Sequence, residues 1–176
     1  MNKQYLLTWS FWIGLVSGIY CLVYASTTII DKNIIWMAFV ALPIYFGSGA
    51  KIEEFPHFFS SILSGVVWGL IMLNFIGFLT GNGLSGPVSM FFVVTICTFI
   101  CVFLHMVILA KTWLNQVPMI FGGLAMTFAT GGTNLIYVII TMTSGLLMGV
   151  AISEGGKIID KMLSAKNIEK SLGVEE

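Results

Sequence analysis

Two histidines are the side chains in this sequence with the clearest capacity for acid–base or metal chemistry. His105 is the one Asp, Glu, His, Lys or Arg residue well inside an apolar stretch, and His57 stands at the start of another. A histidine so placed could gate a pathway by protonation, line a vestibule, or donate a hydrogen bond to a neighbouring helix. Two histidines on adjacent helices could also ligate a b-type haem. We favour hydrogen bonding within the protein and expect no cofactor.

Other catalytic patterns are missing from the sequence. It contains no H-E-x-x-H zinc motif, no pair of intramembrane aspartates, and no nucleophile with a base and an orienting acid at an evident spacing. Cys21, Cys97 and Cys101 all lie within apolar stretches, which is typical of small buried side chains rather than of disulfide partners. We therefore expect neither an enzyme nor a metal site.

The composition indicates where these residues must sit. Of the 176 residues, 57% are hydrophobic and only 9% are charged, with eight lysines balancing eight acidic residues. A soluble domain has about a quarter of its residues charged, so a soluble globule of this composition could not cover its own surface. A disordered chain, a disulfide scaffold and a nucleic-acid binder would each show a different composition. The sequence therefore predicts a small polytopic membrane protein whose partner is the lipid bilayer, with no nucleic-acid partner.

Six apolar stretches can position the candidate residues. A spanning helix needs about 20 mostly apolar residues, and a backbone in lipid must satisfy its own hydrogen bonds. The sequence therefore predicts an all-α fold of six transmembrane helices. The stretches are 6–25, 34–50, 58–79, 88–110, 113–132 and 135–153.

The lysines are distributed unequally between the two sides of the membrane that six spans define. Lys3, Lys51, Lys111 and the four lysines after residue 153 share one side, whereas Lys32 lies alone on the other. Because such an excess marks the cytoplasmic side, both termini are predicted to be cytoplasmic. The first stretch lacks an A-x-A cleavage site, so we expect it to be a retained span rather than a signal peptide.

Two motifs recur in the same order in the two halves. The segment 45–50, YFGSGA, matches 127–132, TFATGG, 82 positions later, and 64–69, SGVVWG, matches 144–149, SGLLMG, 80 positions later. Each half then holds three spans, and an odd number forces the second half to insert upside down. The sequence predicts a 3+3 inverted-topology repeat with units 1–81 and 82–154, followed by a charged cytoplasmic tail, 155–176.

The second and fifth stretches are equivalent in this repeat, and both are interrupted. The second holds Pro43 and the fifth Pro118, and both end in glycines. Paired interruptions point to a substrate pathway in inverted-repeat transporters, where Phe46 and Phe128 would form an apolar constriction. The alternative is that both helices end in ordinary glycine caps. The candidate pathway residues are Phe46, Gly47, Ser48, Gly49, Trp68, His105, Phe128, Thr130, Gly131 and Gly132.

Small residues spaced four apart form stripes on three stretches. Such stripes let helix backbones approach closely, so we interpret them as packing faces rather than solute contacts. They are Ser10, Gly14 and Gly18 on the first stretch, Ser61, Gly65 and Gly69 on the third, and Thr141, Gly145 and Gly149 on the sixth.

Four segments together resemble the motifs of a known family. In order and spacing, 45–50, 63–68, 117–122 and 127–132 are similar to motifs of the family catalogued as domain of unknown function 1097, small multi-pass proteins of the bacterial inner membrane. The resemblance covers most of the chain, from the first to the sixth stretch, and the charged tail is longer than the family usually carries. It implies a bacterial cytoplasmic membrane location and importance of the two glycine motifs, and it brings no established activity.

These observations favour a membrane channel or facilitative transporter. No carboxylate lies mid-membrane to relay protons or couple a cation, so passage of a neutral or weakly polar solute fits better than pumping. Urea, short amides, small alcohols and ammonia form the expected class. The alternatives are an ion- or proton-coupled secondary transporter that uses His105, and a non-transporting scaffold or accessory subunit. Because six helices barely enclose a pathway, we expect a homo-oligomer.

Overall fold

The part of the chain that the structure describes contains six α-helices. The structure, a computed structural model, describes residues 3–27 and 32–171, and these residues form helices and turns only. Short 3-10 turns at Lys32–Ile34 and Ile52–Glu54 precede the second and third helices, and a π-helical turn at Leu104–Ile108 extends the fourth. The predicted all-α fold is confirmed. The helices are α1 Lys3–Ser26, α2 Trp36–Gly47, α3 Phe55–Gly81, α4 Gly86–Phe103, α5 Val117–Ala129 and α6 Leu135–Ser171.

The helices fall into two length classes. α1, α3, α4 with its π-helical turn, and α6 are each long and apolar enough to cross a membrane, which indicates a membrane-embedded protein. α2 has 12 residues and α5 has 13. At about 1.5 Å per residue these helices measure about 18–20 Å, against a hydrocarbon core of about 30 Å. The two helices predicted to be interrupted are therefore too short to cross the core by themselves.

Each short helix is held by one long helix. The most extensive contacts join α3 to α5 and α2 to α6, and smaller interfaces join α1 to α6 and α4 to α3. Helices from the first half of the chain therefore pack chiefly against helices from the second half. α1 and α4 lie at the periphery, with exposed apolar side chains such as Phe11 and Phe99.

Glycines permit the close approach of the short helices. A Cβ atom at Gly65 of α3 would collide with the carbonyl oxygen of Ile120 in α5, and one at Gly145 of α6 would collide with the carbonyl oxygen of Ala38 in α2. Only a residue without a side chain allows such contact between backbones. The small-residue stripes of α3 and α6 are packing faces, as the sequence predicted.

α1 uses a different kind of contact. A Cβ atom at Gly14 or Gly18 would meet no atom within 4 Å, so the packing face predicted for α1 is wrong within the protomer. Aromatic side chains attach α1 to α6 instead, because their polar atoms can reach across a wider gap. These are Trp12, Tyr20 and Tyr24, each hydrogen bonded to α6 at 2.8–3.2 Å.

The centre of the bundle is filled with side chains. α2, α3, α5 and α6 share one hydrophobic cluster whose main members are at most 1% exposed. A smaller cluster between α3 and α4 surrounds Met72, Val93 and Cys97. The large central cluster includes Met37, Ala41, Tyr45, Phe58, Ile62, Met119, Val138, Met142 and Leu146.

α6 does not stop where the sixth apolar stretch ends. It continues past Ser153 as one helix to Ser171, so the predicted tail begins as an extension of the last long helix, and residues 172–176 lie outside the described part of the chain. Cβ atoms at Gly155 and Gly156 would collide with the rings of Trp12 and Trp9. These glycines bring the extension of α6 against α1.

Candidate functional site

α2 ends in a sharp turn of the backbone. Gly49 and Ala50 have positive φ angles of 95° and 52°, and the N–H of Ala50 donates to the carbonyl oxygen of Tyr45 at 3.1 Å. This six-residue closure is a Schellman cap, in which glycine takes a left-handed conformation at no steric cost. The Ser48 hydroxyl donates to a carbonyl of the preceding turn at 3.1 Å, so it is used within the cap.

α5 ends in the same way. Gly131 and Gly132 have φ angles of 59° and 76°, and the N–H of Gly132 donates to the carbonyl oxygen of Thr127 at 2.9 Å. The Thr130 hydroxyl donates to a carbonyl of the preceding turn at 3.2 Å. Both ends thus have the geometry of glycine caps, which is the alternative that the sequence left open.

A cavity of about 570 Å³ lies beside the cap of α2, and we call it the Gly49 cleft. Its volume falls in the range of about 300–1,000 Å³ that small-molecule sites occupy. α1, the end of α2 and the extension of α6 form its walls. The lining residues are Tyr5, Trp9, Phe46, Gly49, Ala50, Ser153, Gly156, Lys157 and Asp160.

The inner wall of the Gly49 cleft carries one free hydrogen-bond donor. Trp9 Nε1 is buried and has no hydrogen-bond partner, although an indole N–H normally finds one when it is buried. The Trp9 ring meets Phe46 edge-on, with centroids 6.3 Å apart, and Ser153 Oγ donates to the carbonyl oxygen of Ala50 at 3.2 Å. The N–H of Trp9 is thus an unpaired donor in the wall of the cleft, and it lies against Gly156 of α6.

The rim of the Gly49 cleft carries one charge of each sign. Lys157 and Asp160 line it, and Lys157 Nζ donates to Glu154 Oε1 at 2.6 Å. This hydrogen bond raises the pKa of Lys157, so the ammonium form is favoured. Lys157 is therefore paired with Glu154, and Asp160 is the second charged residue in the lining.

His105 forms a second polar site, in the π-helical turn after α4. The side chain is 2% exposed and makes three hydrogen bonds. Nδ1 lies 2.7 Å from the carbonyl oxygen of Leu114, and Nε2 lies 3.0 Å from Ser64 Oγ and 3.2 Å from Trp68 Nε1. A π-helical turn is a wide turn often found at functional positions, and here it presents the imidazole to α3 and to the loop 109–116.

The partners of His105 assign its tautomer. A carbonyl oxygen only accepts and an indole N–H only donates, so Nδ1 carries the hydrogen and Nε2 presents its lone pair. This pattern is that of a neutral imidazole, and a second proton on Nε2 would point at the hydrogen of Trp68. Both ring nitrogens are engaged, so haem ligation or proton transfer would first have to break one of these bonds.

The loop 109–116 is held to the start of α3 by further hydrogen bonds. His57 Nδ1 lies 2.9 Å from Asn115 Oδ1, and the backbone N–H of Gln116 donates to Ser61 Oγ at 3.3 Å. Gln116 Nε2 also donates to Glu54 Oε2 at 3.2 Å. His57 and His105 therefore serve the same purpose, which is to fix this loop.

The structure distributes the predicted pathway residues over three places. Phe46 and Gly49 line the Gly49 cleft, with Gly47 and Ser48 next to them in the cap. Trp68 and His105 bond to each other. The third group, at the end of α5, consists of Phe128, which packs on the cluster around Met72, Val93 and Cys97, together with Thr130, Gly131 and Gly132 of the second cap.

Several residues of the Gly49 cleft were not singled out by the sequence. Tyr5 and Trp9 precede the motifs, and Ser153 and Lys157 follow them, so only the pairing of α1 with α6 brings them together. The sequence did contain one signal, the pair Gly155-Gly156 inside a helix. Two adjacent glycines in a helix indicate that another helix packs closely against them, and here that helix is α1.

A known protein family matches most of the chain. The sequence profile of the family described as protein of unknown function (DUF1097) matches residues 10–157. The chain belongs to the DUF1097 family. The DUF1097 match runs from α1 into the extension of α6 and includes both glycine caps and His105. No curated protein and no solved structure matches the chain.

Proposed function

We propose that this DUF1097 protein is a facilitative transporter that moves a small neutral or weakly polar solute across the bacterial inner membrane without changing it chemically. Urea, short amides, small alcohols and ammonia form the class of solute. The Gly49 cleft carries the proposal. It is a cavity of small-molecule size at the end of a helix too short to span the membrane, with aromatic side chains and the unpaired N–H of Trp9 in its wall.

The proposal includes a 3+3 inverted-topology repeat, units 1–81 and 82–154. Positions in α2 and α5 correspond at a spacing of 82, and positions in α3 and α6 at a spacing of 80. The contact of Gly65 with Ile120 maps by these spacings onto that of Gly145 with Ala38, and both occur. These spacings also relate the paired positive φ angles of the two glycine caps.

A second contact supports the same register. A Cβ atom at Gly69 would lie 2.6 Å from Thr127 Cβ, and one at Gly149 would lie 2.8 Å from Tyr45 Cδ1. Thr127 and Tyr45 are 82 positions apart, and the two glycines are 80 apart. The helix interfaces follow the same correspondence. The interface of α3 with α5 corresponds to that of α6 with α2, and the interface of α4 with α3 corresponds to that of α1 with α6.

The filled centre of the bundle favours a carrier over an open channel. Tyr45, Phe58 and Met142 are fully buried between α2, α3 and α6, so a solute in the Gly49 cleft has no open way through the described residues of one protomer. In an inverted-repeat carrier one half moves against the other to change access. His105, with both nitrogens bonded to protein, offers less support for the proton-coupled alternative.

The orientation and assembly are part of the proposal. The lysine distribution favours cytoplasmic termini, so the Gly49 cleft would open to the cytoplasm. α1 and α4 each pack chiefly on one long helix, and we include association of identical copies around these peripheral helices. Crosslinking in native membranes measures the number of copies.

Solute flux into proteoliposomes tests the function. Stopped-flow light scattering with urea, acetamide, glycerol and ammonia should show permeability above that of empty liposomes for at least one solute. Ser153→Trp fills the Gly49 cleft and should lower that flux by about tenfold or more, which corresponds to about 1.4 kcal/mol. Leu147→Trp is the matched control, because Leu147 is 56% exposed on the outer face of the same helix. Permeability equal to that of empty liposomes for every solute would contradict the proposal.

The filled centre also favours a second candidate, a non-transporting membrane subunit. In that case the packed core of α2, α3, α5 and α6 would be a scaffold. A different protein that copurifies in stoichiometric amount, together with no flux for the whole solute panel, would support the scaffold and exclude the carrier.

A further inference from the structure

The Gly49 cleft has a counterpart at the other end of the bundle. The spacing of 82 takes Phe46, Gly49 and Ala50 of α2 to Phe128, Gly131 and Gly132 of α5. The spacing of 80 relates Ser153 and Gly156 of α6 to Leu73 and Ile76 of α3. Each residue that α2 contributes to the cleft, and each of these two residues of α6, thus has an equivalent residue around the second glycine cap. We call the equivalent residue, or the equivalent region, its mate.

The α1 wall of the cleft also has a mate, on α4. Gly156 lies against Trp9, and its mate Ile76 packs on the cluster that contains Val93. Of the two α4 residues in that cluster, Val93 and Cys97, we assign Val93 to the position of Trp9, 84 positions later. Four residues earlier, one helical turn away on the same face, Ser89 takes the place of Tyr5.

The counterpart is closed at Ser89 in this structure, while Val93 borders an apolar cavity of about 380 Å³ between α3 and α4. Ser89 is 0% exposed and Val93 is 3% exposed, whereas Tyr5 and Trp9 are half-buried and line an open cavity. A Cβ atom at Gly132 would lie 3.2 Å from Leu73 Cδ1. Ser153 borders the open cleft at the end of α2. Its mate Leu73 instead packs on Gly132 and covers the end of α5.

Ser89 Oγ is the observation that gives the closed region a polar character. It is fully buried and has no hydrogen-bond partner. Burying a hydroxyl without a partner is unfavourable, and buried polar groups are generally paired. Trp9 Nε1 is the unpaired polar atom of the open cleft, so each of the two mated regions holds one unpaired polar group.

We propose that Ser89, Val93, Phe128, Gly131, Gly132 and Leu73 form a second site for the same small neutral or weakly polar solute, and that it opens when the Gly49 cleft closes. This inference rests on the proposed carrier function. The pairing of one open and one closed mate is the asymmetry that alternating access requires. α4 is the element that can move, because it packs chiefly on α3.

Exchange of the two residues that differ most between the mates tests the proposal. Ser153→Leu together with Leu73→Ser places the large side chain in the open cleft and the small one in the closed counterpart. Two reporters follow the result, Tyr5→Cys in the cleft and Ser89→Cys in the counterpart. A membrane-impermeant maleimide is applied to either side of sealed vesicles, and the signal of the chain with its native cysteines is subtracted.

The expected result is a reversal of labelling. Before the exchange, Tyr5→Cys should label at least about tenfold faster than Ser89→Cys, and each from the opposite side of the membrane. After the exchange, labelling of Ser89→Cys should rise and that of Tyr5→Cys should fall, each about tenfold, a shift of about 1.4 kcal/mol in the equilibrium between the two states.

One control variant and one simpler test variant keep the result interpretable. Ser85→Cys, at the exposed turn before α4, should label equally with and without the exchange, which shows that the chain is inserted and folded. If the double exchange does not insert, Leu73→Ser alone supplies the test, since it should raise labelling of Ser89→Cys. Unchanged labelling of Ser89→Cys beside normal labelling of Ser85→Cys would overturn the proposal.

Labelling and flux separate this inference from the proposed function. Flux without reversal of labelling leaves the carrier proposal standing and overturns the second site. Reversal without flux for any solute supports the paired sites and counts against transport of the proposed class.

Discussion

His105 holds together three parts of the chain that are distant in sequence. It bonds to the carbonyl oxygen of Leu114 in the loop 109–116 and to Ser64 and Trp68 of α3, while its own backbone belongs to the turn that follows α4. Three hydrogen bonds to a side chain that is almost fully buried fix both its position and its tautomer. Its role in the described structure is thus to anchor the loop that leads into α5.

Removing the imidazole should destabilise the protein. His105→Ala leaves Trp68 Nε1 and the Leu114 carbonyl oxygen without this partner, and we expect a loss of about 2–4 kcal/mol in the free energy of unfolding. Unfolding in mixed detergent micelles measures it. The matched control is His57→Ala, which removes one hydrogen bond from a half-buried side chain and should cost about 1 kcal/mol. Equal losses in the two variants would show that the His105 bonds are not structural.

The unpaired indole of Trp9 provides a test at the same scale. Trp9→Phe removes the N–H but keeps an aromatic ring beside Phe46. The solute concentration for half-maximal flux should rise about three- to tenfold, the value of one neutral hydrogen bond, with little change in stability.

The control for Trp9 is its neighbour on α1. Trp12 Nε1 is bonded to the carbonyl oxygen of Ala151, so Trp12→Phe should lower stability by about 1 kcal/mol and leave the concentration dependence of flux unchanged. An equal rise in the solute concentration for half-maximal flux in both variants would show that Trp9 does not bind the solute.

At the scale of helices, the glycines of α3 and α6 determine how the short helices are seated. Gly65 and Gly145 lie against backbone carbonyl oxygens, which cannot move aside as a flexible side chain can. Gly77 lies on the same helix as Gly65 but has no atom within 4 Å of an added Cβ. The same chemical change therefore has opposite consequences at the two positions.

Alanine substitution measures this difference. Gly65→Ala and Gly145→Ala should each destabilise the protein by about 1–3 kcal/mol or more, because the helices must separate to admit a methyl group. Gly77→Ala should be neutral or stabilising by up to about 1 kcal/mol, because alanine favours the helix. The same micelle unfolding compares them, and equal stability of Gly65→Ala and Gly77→Ala would mean that α3 and α5 are not in backbone contact.

The glycine caps need a different probe. Gly49 has a φ angle of 95°, so any larger residue strains the backbone whatever space is present. A loss of flux in Gly49→Leu would therefore combine strain with obstruction. Ser153, on a regular helix facing the same cleft, separates the two effects.

The sequence predicted the all-α fold and the packing faces of α3 and α6, but it did not predict the Gly49 cleft. The spacing of 80 was visible in the sequence because close backbone contact requires glycine at Gly65 and Gly145. The spacing of 82 was visible because the left-handed turns at the ends of α2 and α5 favour glycine at Gly49 and Gly131. The partners of His105 were not readable, since they depend on Pro118 starting α5 late and leaving the loop 109–116 free to fold back. The wall formed by Trp9 and Ser153 depends on α1 meeting α6, and aromatic contacts at an interface carry no fixed spacing.

At the scale of the whole molecule, the two halves are intertwined. The main interfaces, α3 with α5 and α2 with α6, each join the first half to the second. Residues 1–81 and 82–154, the two units of the proposed repeat, therefore share one core instead of having separate ones. Neither half alone can cover its glycine-bearing faces.

Splitting the chain tests this statement. A break at Gly83, in the exposed turn between α3 and α4, gives two fragments. Each fragment expressed alone should be degraded within the time that the intact protein persists, and coexpression should restore both, as measured by pulse-chase in membranes. A first fragment that is stable by itself would show that α2 and α3 can pack without the second half.

The pairing of α2 with α6 also sets an order of events during synthesis. Leu135, the first residue of α6, follows Gly47, the last residue of α2, by 88 residues, which a ribosome translates in about 4–18 s. Throughout that interval α2 is a twelve-residue segment in the bilayer without the surface that will finally cover it. The insertion machinery must therefore shelter an unfinished helix, and a pause in translation before α6 would lengthen the time in which quality-control proteases can remove the nascent chain.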